Sequence, residues 1–356
     1  MSDSQYDSLI VRTWHEITVN ALESRASDIH IEPRSQQGDV RIRVDGQLIK
    51  QTQYPIHLHE RLITRIKILS RLDIAEKRIP QDGRLSIGIN FSKPDTNCRV
   101  SIIPTLYGEK AVVRILPNNL KDLCIEKLGL LPEQLRTFRN ALKQTNGLIL
   151  VTGPTGSGKT RTLYSCLNTL NQVHRNICSI EDPIEIQLPG INQVAYHPRA
   201  GLDFPTIIRA ILRQDPDVIM IGEIRDAASA QLAIQAAQTG HLVLSTLHTR
   251  NASGVLARLN YLGVDSEAVE SCLRCISSQR LLRQCCMRCP KDLKNAHCPH
   301  CNNTGYFGRI GVHEVLEEKQ IFSSAPYLDL YSAGLESLKA GLIDQVTLDS
   351  EVGTWH

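Results

Sequence analysis

Residues 147–160 decide the fold of this 356-residue chain, and they read GLILVTGPTGSGKT. The apolar run 147–152 predicts a buried strand, and the residues after Lys159 predict a helix. Between strand and helix, residues 153–160 match the pattern of a phosphate-binding loop. Its glycines let successive backbone N–H groups point at one anion, and the following helix presents its positive end. A plain glycine turn is the alternative, but the spacing and the context both favour a nucleotide site.

Every residue of this loop is a candidate ligand for a nucleotide, and the predicted cofactors are ATP and Mg²⁺. The Lys159 side chain can reach the β- and γ-phosphates, and the Thr160 hydroxyl can ligate Mg²⁺. The predicted nucleotide-binding residues are Gly153, Pro154, Thr155, Gly156, Ser157, Gly158, Lys159 and Thr160.

The segment around the loop, from Leu135 to Leu262, alternates helical patterns with short apolar runs. This alternation predicts an α/β fold, with a mainly parallel sheet that helices cover on both faces. After Val264 the pattern predicts one long helix to about Leu282, and the tail from Tyr327 onward is amphipathic and helical. The predicted strands are residues 147–152, 177–180, 218–221 and 242–245.

Acidic residues follow the second and third of these strands. Glu181 and Glu185 follow the second strand, and Glu223 follows the third. Because ligands bind at the carboxyl edge of a parallel sheet, these carboxylates are candidates to hold a metal ion and to activate water, as ATP hydrolysis requires. His248, at the carboxyl end of the fourth strand, is a candidate sensor of the γ-phosphate. Any one acidic residue beyond a strand is often only solvated, but two clusters beside a phosphate loop make coincidence a weak explanation.

The first third of the chain predicts a smaller α+β domain with a basic face. Between Arg34 and Arg114 there are fifteen Lys and Arg but eight Asp and Glu, and several arginines lie on or beside predicted strands. The whole chain has a net charge of only +3 and 4% aromatic residues, so it offers little for nucleic-acid binding. The basic face therefore predicts an anionic partner of another kind.

Seven of the eleven cysteines lie between Cys272 and Cys301. Two C-x-x-C pairs separated by eight residues suit a tetrahedral Zn²⁺ site with four thiolates, and reduced free thiols are the alternative. The predicted zinc ligands are Cys286, Cys289, Cys298 and Cys301.

The sequence also indicates a compartment. Its longest apolar runs are far shorter than the ~18 residues that a membrane span needs. The first residues are polar and acidic, without the basic region and apolar stretch of a secretory signal. We therefore expect a cytoplasmic protein.

A succession of segments resembles the secretion ATPase superfamily, and specifically the type II secretion and type IV pilus assembly ATPases. The segments are the phosphate loop and residues 27–33 (SDIHIEP), 181–185 (EDPIE), 213–226 and 240–249. The resemblance covers about residues 15–345. It implies a RecA-like core and a hexameric ATPase motor. It also implies an inner-membrane platform protein as partner, so that the chain would be peripheral to that membrane.

The resemblance implies roles for single residues. Glu223 would hold Mg²⁺, directly or through water. The cluster 181–185 would polarise the attacking water, and Glu185 is favoured over Glu181. In this family the basic domain of one subunit closes over the nucleotide of a neighbour, which makes the outward arginines candidate arginine fingers. These candidates are Arg41, Arg43, Arg84 and Arg114, and each could instead be a solvated cation.

Two features bear on the role within the family. A tetracysteine segment marks the assembly or export ATPases and favours assembly of a pilus or secretion pseudopilus over retraction. The chain begins almost directly at the basic domain, so we expect a compact form without the family's additional N-terminal domain. A DNA-uptake or translocation ATPase and a nucleotide-binding scaffold without turnover are the alternative functions.

These observations predict five successive segments. They are an N-terminal α+β domain with a basic face (1–116), a linker (117–132), the RecA-like P-loop ATPase core (133–284), a tetracysteine zinc-binding segment (285–316) and a C-terminal helical tail (317–356).

Overall fold

A computed structural model describes the chain in five stretches, which are residues 3–88, 96–116, 120–289, 298–323 and 325–353. At residues 3–7 and at 121 only the backbone is described. The chain divides into two compact units, Met1–Asn118 and Asn119–His356. Residues 117–119 of the predicted linker, and the eight residues between the two C-x-x-C pairs, lie outside the described stretches.

The first unit is a six-stranded antiparallel sheet with two helices. Its elements are α1 (Asp3–Glu23), β1 (Asp28–Pro33), β2 (Gln37–Val44), β3 (Gln47–Pro55), α2 (His59–Leu69), β4 (Gln81–Ile87), β5 (Thr96–Thr105) and β6 (Gly108–Ile115). The strands lie in the order β3-β2-β1-β6-β5-β4, and every neighbouring pair is antiparallel. Trp14 and Ile17 of α1 and Leu62 and Ile66 of α2 are buried in one core with the strands.

Strand β2 shows how the sequence sets the two faces of this sheet. Its side chains alternate, as a half-buried strand requires. Val40 and Ile42 are buried in the core with the helices. Arg41 and Arg43 therefore lie on the opposite face, as the sequence predicts.

The second unit is a seven-stranded sheet surrounded by helices. Its elements are α3 (Pro132–Leu142), β7 (Gly147–Thr152), α4 (Lys159–Leu170), β8 (Ile177–Glu181), β9 (Asn192–Ala195), α5 (Phe204–Ile211), β10 (Val218–Ile221), α6 (Ala227–Gln238), β11 (Leu242–Leu247), α7 (Gly254–Tyr261), α8 (Ser266–Cys272), β12 (Leu273–Cys285), β13 (Tyr306–Glu317), α9 (Glu318–Phe322), α10 (Leu330–Lys339) and α11 (Gln345–Glu351). The strand order is β13-β12-β7-β11-β10-β8-β9. All neighbours are parallel except β12 and β13.

Both faces of this sheet are buried, which explains the continuous apolar runs in its strands. Leu148 and Leu150 of β7 belong to one core cluster. Ile149 and Val151, which point the other way, belong to a second cluster. All four predicted strands are present, and the α/β fold class is confirmed.

The long helix predicted from Val264 to about Leu282 is wrong. Helix α8 ends at Cys272, and the chain continues as β12, which pairs with β7 on one side and with β13 on the other. Leu273 and Ile276 are buried within the sheet. A strand that is buried on both faces lacks alternation, so its periodicity alone does not separate it from a buried helix. The tetracysteine segment consequently connects two neighbouring strands of the main sheet.

Among the described helices, none is both long enough and apolar enough to span a bilayer. The longest of them, α1, has 21 residues and carries charged side chains such as Arg12 and Glu16.

Candidate active site

The phosphate loop leaves β7 at the carboxyl edge of the second sheet and enters α4. Gly153, Gly156 and Gly158 have positive φ angles of 143°, 82° and 93°. Glycine adopts this region without the steric penalty that a Cβ brings. At Gly153 space is also limiting, because a Cβ there would lie 2.6 Å from the carbonyl oxygen of Gln279. The loop therefore has the backbone conformation that its glycines predict.

Lys159 begins helix α4 and folds back over its own loop. Its ammonium donates hydrogen bonds to the carbonyl oxygens of Gly153 at 2.8 Å and Pro154 at 3.0 Å. Burial and the positive charge of Arg280 lower the pKa of Lys159, while the charge of Glu223 opposes this shift. The cation is thus held at the loop by backbone carbonyls, in reach of a phosphate bound there.

The carboxyl edge of the sheet brings together residues that the sequence predicts separately. Strand β10 pairs in parallel with β8 and β11. The Glu223 carboxylate accepts a hydrogen bond from Arg225 and lies 3.5 Å from Nε2 of His248. Arg225 also pairs with Asp182 in the loop after β8, with 3.1 Å between Nη1 and Oδ2. The two acidic clusters are therefore linked through one arginine.

The charges at this edge perturb one another. Burial raises the pKa of Glu223, but the hydrogen bond and charge of Arg225 and the nearby His248 outweigh it, so the pKa lies below its usual value. Burial, followed by the charge of Lys159, lowers the pKa of His248. At neutral pH the edge therefore presents an ionised carboxylate, a neutral imidazole and two cations.

Glu181, the last residue of β8, is buried in a network of hydrogen bonds. Its carboxylate accepts from the hydroxyls of Tyr164 and Ser179, the latter at 2.6 Å, and from Nε2 of Gln193 at 2.9 Å. These three donors fix the carboxylate within the fold. The arrangement favours a role for Glu181 in holding the acidic loop in place.

Tyr164 connects the acidic loop to the helix that follows the phosphate loop. Its hydroxyl donates to Glu181 and accepts the backbone N–H of Glu185 at 3.2 Å. Burial and the charge of Glu181 raise the pKa of Tyr164, so the hydroxyl keeps its proton. The half-buried Glu185 is therefore held through its own backbone, and its position relative to α4 is fixed.

In the first unit, three arginines form a row across the face opposite the helices. Arg84 in β4 lies opposite Arg99 in β5, which lies opposite Arg114 in β6. Side chains opposite each other in antiparallel strands share a face, at a Cβ separation of about 5 Å. Arg114 donates to Asp28 at 2.9 Å. Like charges at this spacing repel, so the row favours binding of an anion.

The other two predicted arginines of this sheet are bound differently. Arg41 donates two hydrogen bonds to Glu32, at 2.7 and 2.9 Å, and Nε of Arg43 lies 3.8 Å from a carboxylate oxygen of Asp28. Burial alone would raise the pKa of Glu32. The hydrogen bonds from Arg41 and Lys110 outweigh burial and lower the pKa to about 2. Glu32, which also pairs with Arg34 and Lys110, therefore holds the Arg41 side chain against its own sheet.

The four predicted zinc ligands lie together between β12 and β13. Their sulfur atoms all fall within 4.8 Å of one another. The separations are 4.0 Å for Cys286 and Cys298 and 3.3 Å for Cys289 and Cys301. Tetrahedral Zn²⁺ with Zn–S bonds near 2.3 Å requires sulfurs roughly 3.8 Å apart. The donor set and its spacing fit a structural zinc ion.

Reasoning from the sequence does not find three residues of these sites, which are Arg225, Tyr164 and Gln279. Arg225 stands two residues after Glu223, so its position alone could have marked it as a partner. Tyr164 lies on the predicted helix after the phosphate loop, but its bond to the acidic loop depends on tertiary contacts. Gln279 is placed by strand register, which local patterns do not encode. Arg99 counts among the arginines of the predicted basic face, and only its place in the row depends on register.

Comparison with known proteins gives relatives over most of the chain. The family model described as "Type II/IV secretion system protein" matches residues 3–328. The protein transport protein HofB homolog of Haemophilus influenzae is 42% identical over 351 residues, which cover 99% of this chain and 75% of that protein. The type IV pilus assembly ATPase PilB of Myxococcus xanthus is 42% identical over 340 residues, which cover 89% of this chain and 60% of that protein.

A solved structure gives a similar result. The pilus retraction motor PilT with bound ADP is 26% identical and aligns with a TM-score of 0.66. The alignment covers 94% of this chain and 96% of that chain.

Proposed function

Since the chain belongs to the family of type II secretion and type IV pilus assembly ATPases, we propose that it is the hexameric motor of such a machine. It hydrolyses ATP and thereby drives assembly of a type IV pilus or of a type II secretion pseudopilus. The names of its relatives, which refer to protein transport and to pilus assembly, support this role.

One observation carries the proposal for the chemistry. Glu223 lies 3.5 Å from His248 at the carboxyl edge of the sheet, from which the phosphate loop with Lys159 also begins. Lys159 and the loop N–H groups bind the phosphates of ATP. The hydroxyl of Thr160 and the carboxylate of Glu223 are hard oxygen donors that suit Mg²⁺, directly or through water. When bound, Mg²⁺ neutralises charge on the phosphate oxygens.

Within the acidic loop we assign the attacking water to Glu185. The hydrogen bonds that surround Glu181 leave it to position the loop, as described above. Glu185 lies on the same loop, with its backbone fixed by Tyr164. Its carboxylate orients and polarises the water, and His248 senses the γ-phosphate from the end of β11, the strand next to β7.

The arginine row gives a reason for assembly into a ring. An anion that relieves the repulsion among Arg84, Arg99 and Arg114 is the triphosphate bound by a neighbouring copy. There the row stabilises the charge that develops during phosphoryl transfer. Arg41 and Arg43 remain candidates for this role, and Arg41 has the smaller expected contribution because two of its nitrogens already donate to Glu32. Turnover in this scheme requires an oligomer.

The remaining partners follow from the proposed machine. The motor works in the cytoplasm, peripheral to the inner membrane, and acts on a platform protein embedded there. No nucleic acid takes part. Zn²⁺ held by Cys286, Cys289, Cys298 and Cys301 cross-links the connection between β12 and β13, and its role there is structural.

Two glutamine substitutions test the assignment. Phosphate release and oligomer mass are measured together across size-exclusion fractions of the full chain with MgATP. We expect phosphate release in the fractions whose mass corresponds to six chains. Glu185→Gln lowers kcat about 10²-fold or more and leaves the ATP affinity nearly unchanged, since a general base acts only on the chemical step.

Glu181→Gln serves as the matched variant. It lowers kcat less than Glu185→Gln does, and it lowers the melting temperature because a buried hydrogen-bond acceptor is altered. Wild-type turnover in Glu185→Gln would remove Glu185 from the mechanism. Absence of phosphate release by the wild-type hexamer would favour the scaffold function instead.

A further inference from the structure

Gln279, in the middle of β12, is a buried polar residue that touches the phosphate loop. Its side chain is 2% exposed. Nε2 donates to the carbonyl oxygen of Ser157 at 2.6 Å, and Oε1 accepts from the hydroxyl of Thr162 at 2.8 Å. Both ends of the amide are therefore used, one on the loop and one on the helix that follows it.

The bond to Ser157 has a consequence for the next N–H group. A trans peptide is planar, and its C=O and N–H groups point in opposite directions. Among the described residues the one cis bond joins Asp182 and Pro183, so the peptide between Ser157 and Gly158 is trans. Because Gln279 holds the Ser157 carbonyl from one side, the N–H of Gly158 is directed to the other side.

The orientation of the Gln279 amide is fixed by the carbonyl of Ser157, and Thr162 is compatible with it. A glutamine amide could present either its oxygen or its nitrogen to the loop. The Ser157 carbonyl oxygen can only accept a hydrogen bond, so the NH₂ group must face it, and the Thr162 hydroxyl, which is 1% exposed, then donates to Oε1.

The backbone of β12 also limits the loop. The Gln279 carbonyl oxygen would lie 2.6 Å from a Cβ at Gly153, and its Nε2 would lie 3.1 Å from a Cβ at Gly158. The first and last glycines of the motif therefore pack directly against this residue. A single residue, distant in sequence from the motif, thus contacts the loop at both ends.

We propose that Gln279 is a positioning residue of the nucleotide site, which directs the Gly158 N–H at the bound phosphates by holding the carbonyl of Ser157. The inference rests on the proposed function, in that the loop must bind ATP. A backbone N–H directed at a phosphate makes a charge-assisted hydrogen bond, which is stronger than a neutral one. Misdirecting it therefore weakens binding of the nucleotide.

The test substitutes Gln279→Met, which keeps the length of the side chain and removes both polar ends. Steady-state hydrolysis of MgATP and calorimetric titration with MgADP are measured on the full chain, together with the melting temperature. We expect the KM for ATP and the Kd for ADP to rise about 10-fold to 100-fold. We expect kcat at saturating ATP to change less than about threefold.

A rise in KM with little change in kcat distinguishes a positioning role from a loss of folded protein. A variant that merely folds poorly loses active molecules, which lowers kcat and the melting temperature and leaves KM unchanged. Gln284→Met, on the same strand, is the control and should keep the wild-type KM. A wild-type KM in well-folded Gln279→Met overturns the proposal, whereas a wild-type protein that fails to bind MgATP overturns the proposed function.

Thr162 provides a second route if Gln279→Met does not fold. Thr162→Val removes the hydrogen bond that holds Oε1 of Gln279 in place, and it should raise KM by less than the change at Gln279 does. Thr162→Ser keeps the hydroxyl and should restore the wild-type KM. Equal KM values for the Val and Ser variants would contradict the proposed role of the amide.

Discussion

Cations lie both beside the phosphate loop and on the face of the N-terminal sheet opposite its helices, but they have different partners in the two places. On the N-terminal sheet Arg41 bonds to the carboxylate of Glu32. Beside the phosphate loop, Lys159 donates to two backbone carbonyls of its own loop. Arg280 likewise donates to carbonyl oxygens, those of Gln279 at 3.0 Å and Arg250 at 2.6 Å.

The number of cations in a sequence therefore does not give the electrostatic potential that they produce. A cation bound by a carboxylate contributes little net potential, whereas one bound by neutral carbonyls keeps its positive charge. Lys159 and Arg280 therefore keep more of their positive charge for an anion than Arg225, which pairs with Glu223 and Asp182. On the N-terminal sheet, Glu32 is shared by Arg34, Arg41 and Lys110, and Asp28 pairs with Arg114 of the row.

The largest effect is expected at Lys159. Lys159→Ala removes a cation that no carboxylate offsets through a hydrogen bond, and it removes the contact to the β- and γ-phosphates. We expect the rate of phosphate release to fall by about 10³-fold. Lys127→Ala, an exposed lysine of the same unit that pairs with Asp122, is the control and should keep the wild-type rate. Comparable rates in the two variants would contradict a catalytic role for the loop.

The arginines of the N-terminal sheet should separate into two groups. Arg84→Ala and Arg114→Ala should each lower kcat by about 10-fold to 100-fold, because each removes charge that stabilises phosphoryl transfer. Arg41→Ala should lower kcat less than either and should lower the melting temperature, since it strips two hydrogen bonds from the buried Glu32. The measurements are kcat, ATP affinity and thermal unfolding.

Arg12→Ala is the matched control for these changes, because Arg12 is an exposed arginine that pairs with Glu16 on α1. It should leave both kcat and stability unchanged. If Arg41→Ala lowers kcat as strongly as Arg84→Ala does, the smaller role expected for Arg41 is wrong. If none of the three lowers kcat, the arginine row has no part in turnover.

How far the sequence predicted the molecule depended on the range of the interactions involved. The phosphate loop and the strands before and after it rest on local patterns, and the structure has them as predicted. Strand β12 was misread as a helix, because its burial between β7 and β13 depends on pairing with distant strands. The same limit applies to Glu32 and Arg41, whose charges were visible but whose pairing was not.

The smallest effect concerns the pKa values of two glutamates, Glu32 on the N-terminal sheet and Glu314 on the second sheet. Glu32 has a pKa lowered to about 2, as described above. Glu314 on β13 is buried, and burial raises its pKa to about 7, although the backbone N–H of Ala252 and the charge of Arg280 act to lower it. The guanidinium of Arg280 is engaged with carbonyl oxygens, which leaves Glu314 without the direct pairing that Glu32 has.

The two glutamates should affect stability with opposite signs. The folded state binds a proton at Glu314 more tightly than the unfolded state, in which the pKa is about 4.5, so its contribution to the free energy of unfolding falls as pH rises from about 4.5 to about 7. Glu314→Gln mimics the protonated form and should raise that free energy by about 2 kcal/mol at pH 8, with no gain at pH 5.

Glu32 contributes stability that is present above its unfolded pKa and lost as pH falls toward about 2, so Glu32→Gln should lower the free energy of unfolding at pH 8. Urea unfolding at pH 5, 6.5 and 8 measures both variants against the wild type. If both variants change the free energy of unfolding in the same direction at pH 8, the pairing of Glu32 with Arg41 does not explain why the pKa values of the two glutamates differ.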